Sequence, residues 1–192
     1  VAGEALTAAR EHSIMREATS YQVLGIVLIR TDLEEARRKV EWSDGIFERM
    51  GEVGARSSTA AMLADIALMM GDLERAEATI ATAREITVTD DIDAVARTLA
   101  AESKLLALRG DERALVSGRR ALETSEGTEY LLMRARALTL VAEAHVSLGD
   151  RETAADLHRR ALAVSEEKGD VWSAARSRSA LEQLGSTGPS LV

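Results

Sequence analysis

Three histidines, His12, His145 and His158, carry all the imidazole of this 192-residue chain, which has no cysteine. The spacing of His145 and His158 places them on the two helices of one hairpin, where their rings could approach. A metal site normally takes about three or four donors, so further ligands would have to join them. Buried or half-buried histidines in packing positions are expected instead, and no metal. Asp90, Asp91 and Asp93 crowd three carboxylates into four residues but lack the ligand spacing and closing glutamate of a calcium loop. They suit a helix start, where anionic groups are favoured. Met62, Met69 and Met70 form a soft patch on one helix, expected to pack in the core, with an adaptable binding surface as the alternative. Trp42 and Trp172 are expected to pack or to anchor a cap. The glycines stand singly, with neither the loop nor the lysine of a phosphate-binding motif, and no motif fixes a Ser-His-Asp set. No catalytic residue, cofactor or enzymatic activity is expected.

The elements that carry these residues are written in a repeated phrase. Thr31-Asp32-Leu33, Gly71-Asp72-Leu73, Gly110-Asp111-Glu112 and Gly149-Asp150-Arg151 place their aspartates 40, 39 and 39 residues apart. A small residue follows each (Ala36, Ala76, Ala114, Ala154), and a second comes seven residues later (Ser43, Ala83, Ala121, Ala161). A recurring step of about 20–50 residues marks repeat architectures, in which one unit buries its apolar face only against a neighbour. Leu63, Ile66, Ala67 and Met70, and after the turn Leu73, Ala76, Ile80 and Ala83, trace stripes of helical period. Each unit reads as a helical hairpin, with glycine ending one helix and aspartate capping the next. First helices are expected at 14–30, 57–70, 91–109, 128–148 and 170–184, and second helices at 33–50, 73–87, 111–125 and 151–168.

Composition agrees. Aromatics are 3% and Pro189 is the single proline, so alanine and leucine must fill the core of an all-helical protein. A net charge of −8 argues against a broad basic surface for nucleic acid. The longest apolar run, Val23 to Ile29, falls far short of the roughly 20 residues of a membrane span, and the first residues do not read as a secretory signal. Neither nucleic acid nor membrane is an expected partner, and a cytoplasmic setting follows by default. Only Lys39, Lys104 and Lys168 are lysines among 24 basic residues, a bias associated with a GC-rich bacterial genome. The doublets Arg37-Arg38, Arg119-Arg120 and Arg159-Arg160 are expected on a solvated face beside glutamates.

The Gly-Asp turns, the two small-residue series and a third at Ala64, Ser103 and Ala142 resemble the tetratricopeptide repeat over about residues 14–184. The step exceeds the usual 34, no proline closes the units, and Val40, Ile80 and His158 stand where the consensus carries large aromatics. The resemblance implies a right-handed α-solenoid with repeats at 14–50, 57–87, 91–125 and 128–168 and a cap helix at 170–184. Residues 1–12 align with 157–168 and would be a truncated helix of a preceding repeat, and 185–192 a flexible tail. Alanine-rich units of this length look like the C-terminal regions of large bacterial ATPase-linked regulators or cyclases, which would make the chain part of a longer protein. Its implied role is a non-catalytic scaffold for a protein or peptide, with a sensor of a small molecule or short peptide as the alternative and a homodimer as a further outcome. By the same resemblance a concave groove would be lined by Tyr21, Leu28, Ser58, Asp65, Leu68, Arg97, Lys104, Arg136, Thr139 and Glu143, with Gly25 beside Tyr21. The lysine-asparagine clamp of chaperone-binding members is not reproduced.

Overall fold

The computed structural model describes residues 2–87 and 91–186. Among these the chain forms nine helices and no strand, namely α1 (Ala2–Leu28), α2 (Leu33–Met50), α3 (Val53–Met70), α4 (Leu73–Ile86), α5 (Ile92–Leu108), α6 (Arg113–Glu126), α7 (Leu131–Ser147), α8 (Arg151–Lys168) and α9 (Val171–Ser186). They divide into two compact units, residues 1–88 and 89–192. The expected tail lies outside the described residues from 187 onward, and so does Asp90.

In the first unit α1 pairs with α2 and α3 with α4, and α2 packs on α3. The small-residue series explains the closeness of the pairs: Ala36, Ser43, Ala76 and Ala83 have no solvent exposure. Ser43 is tolerated there because its hydroxyl donates to the Ala18 carbonyl of α1 at 2.8 Å, so no buried polar group is left unpaired. α3 is covered around its whole circumference from Thr59 to Leu68, making it a core helix rather than an amphipathic one. α1 runs unbroken through the junction expected near residue 13. No glycine or proline lies between Gly3 and Gly25 to stop it.

In the second unit α5 pairs with α6 and α7 with α8, α5 lies along α7, and α9 packs on α8 while touching α7 only marginally. Ala114, Ala121, Ala154 and Ala161 are again fully buried. Ser103 repeats the role of Ser43, donating to the Ala114 carbonyl of α6 at 2.8 Å.

The hairpin turns follow the Gly-Asp phrase. Gly71 and Gly149 take φ of 75° and 84°, and the Asp72 and Asp150 carboxylates accept from the Arg75 and Thr153 amides at 3.0 and 3.1 Å. Asp111 departs from this pattern. It accepts from the Arg113 amide at 2.9 Å, and α6 begins at Arg113. Between hairpins the left-handed Gly51 ends α2, so α3 starts at Val53, four residues before the expected Ser57. A Cβ on Gly149 would meet nothing within 4 Å, which leaves conformational strain as the only cost of a side chain. Gly149→Ala should therefore lose about 1 kcal/mol in urea denaturation, and Gly149→Asn less, because asparagine tolerates the left-handed region.

The arginine doublets lie mostly where a solvated face was expected. Arg38 pairs with Glu35 at 2.5 Å, Arg37 with Glu34 and with Glu41 at 2.6 Å, and Arg159 with Asp156 at 3.6 Å.

Candidate functional site

The first unit does not assemble its share of the expected surface. Asp65 and Leu68 keep only 7% and 5% of their accessibility, because they lie on the all-round buried stretch of α3. Leu28 packs against the cluster of Ala36, Val40, Met62, Leu63 and Ile66, and Ser58 is half-buried. Gly25 is a point of close helix approach, not a groove position: a Cβ there would stand 2.4 Å from Val40 Cγ2. Tyr21 is half-buried under the Trp42 ring, with centroids 5.8 Å apart, and the Lys39 ammonium sits 5.6 Å from its centroid. Trp42 packs on Tyr21 from the outside and is itself 60% exposed. The methionines split, with Met62 buried and Met70 exposed.

The second unit brings its candidates together. Lys104 on α5 and Arg176 on α9 both pair with Glu143 on α7, the latter at 3.1 Å. Arg136, two turns before Glu143 on the same helix, adds its field. Burial alone would push the Glu143 carboxyl upward. Arg136, Lys104 and Arg176 together outweigh that, and the carboxyl titrates below its ordinary value. Arg97 reaches from α5 to the Met133 sulfur of α7. Thr139 is buried, with its hydroxyl donating to the Ala135 carbonyl at 2.9 Å.

Beside this cluster α7, α8 and α9 border an open cleft of about 550 Å³, lined by Thr139, Glu143 and Val146 of α7, Arg151 and His158 of α8, and Arg176, Ser179, Ala180, Gln183 and Leu184 of α9. The two histidines take separate roles. His145 Nδ1 lies 3.0 Å from Asp150 Oδ2, tying the end of α7 to the cap of α8. His158 is 3% exposed, and its Nδ1 has no hydrogen-bond partner. Burial holds the His158 imidazole below its ordinary value of 6.5, with Arg176 acting in the same sense and Glu143 opposing. The folded unit therefore binds fewer protons than the unfolded chain just below that value, and its stability falls as pH drops through about 6.5. His158→Phe should remove that acid-side loss, read as the urea midpoint compared at about pH 7.5 and about pH 5.5.

Of this site, Lys104, Arg136, Thr139 and Glu143 were expected from sequence, while Arg151, Arg176 and the cleft were not. One signal was available for Arg176. It stands 40 residues after Arg136, which stands 39 after Arg97, so all three occupy the same repeat position on α5, α7 and α9. Among the described residues, no group of three or more histidine, aspartate or glutamate side chains is placed to hold a metal ion, and no helix is long and apolar enough to cross a membrane.

Paired helices, buried small residues and Gly-Asp turns define an all-α fold of the tetratricopeptide type. Similarity to a solved structure carries the same conclusion: a signal transduction ATPase with numerous domains and a tetratricopeptide repeat sensor, from Pyrococcus horikoshii, matches with a TM-score of 0.60 at 18% identity. The match covers 91% of this chain and 28% of that one, so this chain spans under a third of that protein's length. No protein-family profile matches the chain, and no curated protein does.

Proposed function

We propose that the chain is a non-catalytic binding module, the helical-repeat region of a longer bacterial signalling or transcriptional regulator working in the cytoplasm, and that it takes an acidic protein segment or peptide on the first-helix face of its second unit. The observation that carries this is the register of Arg97, Arg136 and Arg176 on three successive first helices, with Lys104 among them. Guanidinium forks pair with carboxylates in two-point geometry, and a ladder of them at the repeat step suits a chain of acidic side chains better than a single ion. Placement in a longer regulator follows the description of the Pyrococcus horikoshii protein, a signal transduction ATPase with a tetratricopeptide repeat sensor.

The test is a fluorescence anisotropy titration with a glutamate-rich peptide and its glutamine counterpart. The glutamate peptide should bind, the affinity should fall with added salt, and Arg97→Ala or Arg136→Ala should each weaken it about tenfold. Equal binding of the two peptides would remove the basis for the proposal. Sedimentation of the same samples reports whether the chain pairs with a second copy.

A further inference from the structure

We propose that the exposed face of α1 around Val23, Leu24 and Val27 docks a partner helix built like α2, with small apolar residues at one end of its contact stripe and a basic residue at the other. The three side chains keep 52%, 47% and 57% of their accessibility, and their spacing of i, i+1 and i+4 puts them on one side of the helix. Their place in the repeat shows what such a side packs against. Val40 and Gly118 each come four residues after the buried alanine of their hairpin, and Gly25 approaches the first as Ser103 approaches the second. Ala64 lies 39 residues after Gly25 and 39 before Ser103, so α1 aligns with α3 at that step. Val23, Leu24 and Val27 are then the counterparts of Met62, Leu63 and Ile66.

On α3 those counterparts are buried in one cluster with Ala36 and Val40 of α2. The same stripe of α2 runs on, in steps of four residues, to Asp44 and Glu48. Thr59 of α3 donates to Asp44 at 2.6 Å, and Arg56 pairs with Glu48 at 2.6 Å. These contacts descend α3 as they ascend α2, so the two helices run antiparallel. The α2–α3 contact is thus a complete example of an interface of which α1 presents one side uncovered. Carried back by 39 residues, Ser20 takes the place of Thr59 and Glu17 that of Arg56, and both are exposed. The apolar end is alike, while the charge at the other end is reversed. Ser20 already donates its hydroxyl to the Arg16 carbonyl at 2.8 Å, which leaves its oxygen to accept. The helix that fits lies antiparallel to α1, with alanine and valine four residues apart over the apolar patch, an amide donor at Ser20 and a lysine or arginine at Glu17.

This face belongs to the first unit and goes beyond the arginine ladder of the second, so its test does not depend on that reading. The probe is a fluorescein-labelled peptide of residues 33–50 carrying Asp44→Asn and Glu48→Lys. A hydrocarbon link between positions 38 and 42, on its outer side, keeps it helical, because a free peptide of this length is only marginally so. In anisotropy titrations the intact chain should bind it saturably, and the peptide with Asp44→Asn alone should bind about fivefold more weakly, since its Glu48 meets Glu17. Glu17→Lys in the chain should reverse that preference. Val27→Asp, with its fold checked by circular dichroism, should weaken binding more than about tenfold, and Leu24→Ser provides the same readout should that variant fail to fold. Three results would overturn the proposal. The first is no saturable binding of the lysine peptide. The second is binding that survives both Val27→Asp and Leu24→Ser, which would place the peptide on α3 in exchange with α2. The third is self-association of the chain that Val27→Asp abolishes while the peptide does not bind, which would give the face to a second copy.

Discussion

Glu143→Gln should destabilise the second unit by about 2–3 kcal/mol, read from urea denaturation followed by Trp172 fluorescence in a Trp42→Phe background. Lys104, Arg136 and Arg176 come from three helices and converge on this one carboxylate. An amide of the same shape takes away the negative charge that the three cations share. Removing one partner of a fully buried pair costs about 3–5 kcal/mol. The lower figure is used here because the Glu143 and Lys104 side chains keep 22% and 14% of their accessibility, so solvent screens part of the repulsion. Glu143→Gln combined with Lys104→Met should recover part of the loss, since one of the three cations goes with the anion. The pH dependence follows from the depressed carboxyl. Its contribution is complete above the ordinary glutamate range and disappears as pH falls through the lower folded-state value. The wild-type chain should thus lose stability on acidification below about pH 4.5, and Glu143→Gln should lack that component. An unchanged midpoint at neutral pH would mean that the cluster is held open by solvent.

The hairpins were legible because their signals are local. Glycine before aspartate specifies a left-handed stop and a cap from two adjacent side chains, and the structure places Gly71-Asp72 and Gly149-Asp150 in those roles. The buried alanines were legible for a related reason: a small residue every repeat is what two close helix backbones require. Exposure was not legible. Helical periodicity identifies a face but not what covers the opposite one, and α3 is covered on all sides, which takes Asp65 and Leu68 out of any open surface. The cleft was equally hidden, because it arises from how α9 leans away from α7, a property of packing with no residue signature. His158 was visible only as a missing aromatic. Its unpartnered nitrogen belongs to the three-dimensional arrangement alone.

Gly25→Ala should cost the first unit about 2 kcal/mol net, although alanine is the better helix former. The substitution gains up to about 1 kcal/mol of helix propensity, while overpacking a tight contact costs about 1–3 kcal/mol. Geometry places this case at the upper end. The added Cβ would stand 2.4 Å from Val40 Cγ2 and 3.3 Å from the Ala36 carbonyl oxygen. Val40 is fully buried and β-branched, so its χ1 is stiff and the methyl cannot swing aside. α1 cannot easily retreat either, because the Ser43 hydroxyl holds the Ala18 carbonyl at 2.8 Å two turns away on the same face. The strain must then be shared between a lost hydrogen bond and a displaced helix. Val40→Ala removes the offending methyl, so Gly25→Ala and Val40→Ala together should be less destabilising than the sum of the two, with a coupling of about 1–2 kcal/mol. A double-mutant cycle read by urea denaturation at Trp42 measures this. Additive effects would show that α1 and α2 have room to separate at this crossing, and a stabilising Gly25→Ala would show that helix propensity outweighs the contact.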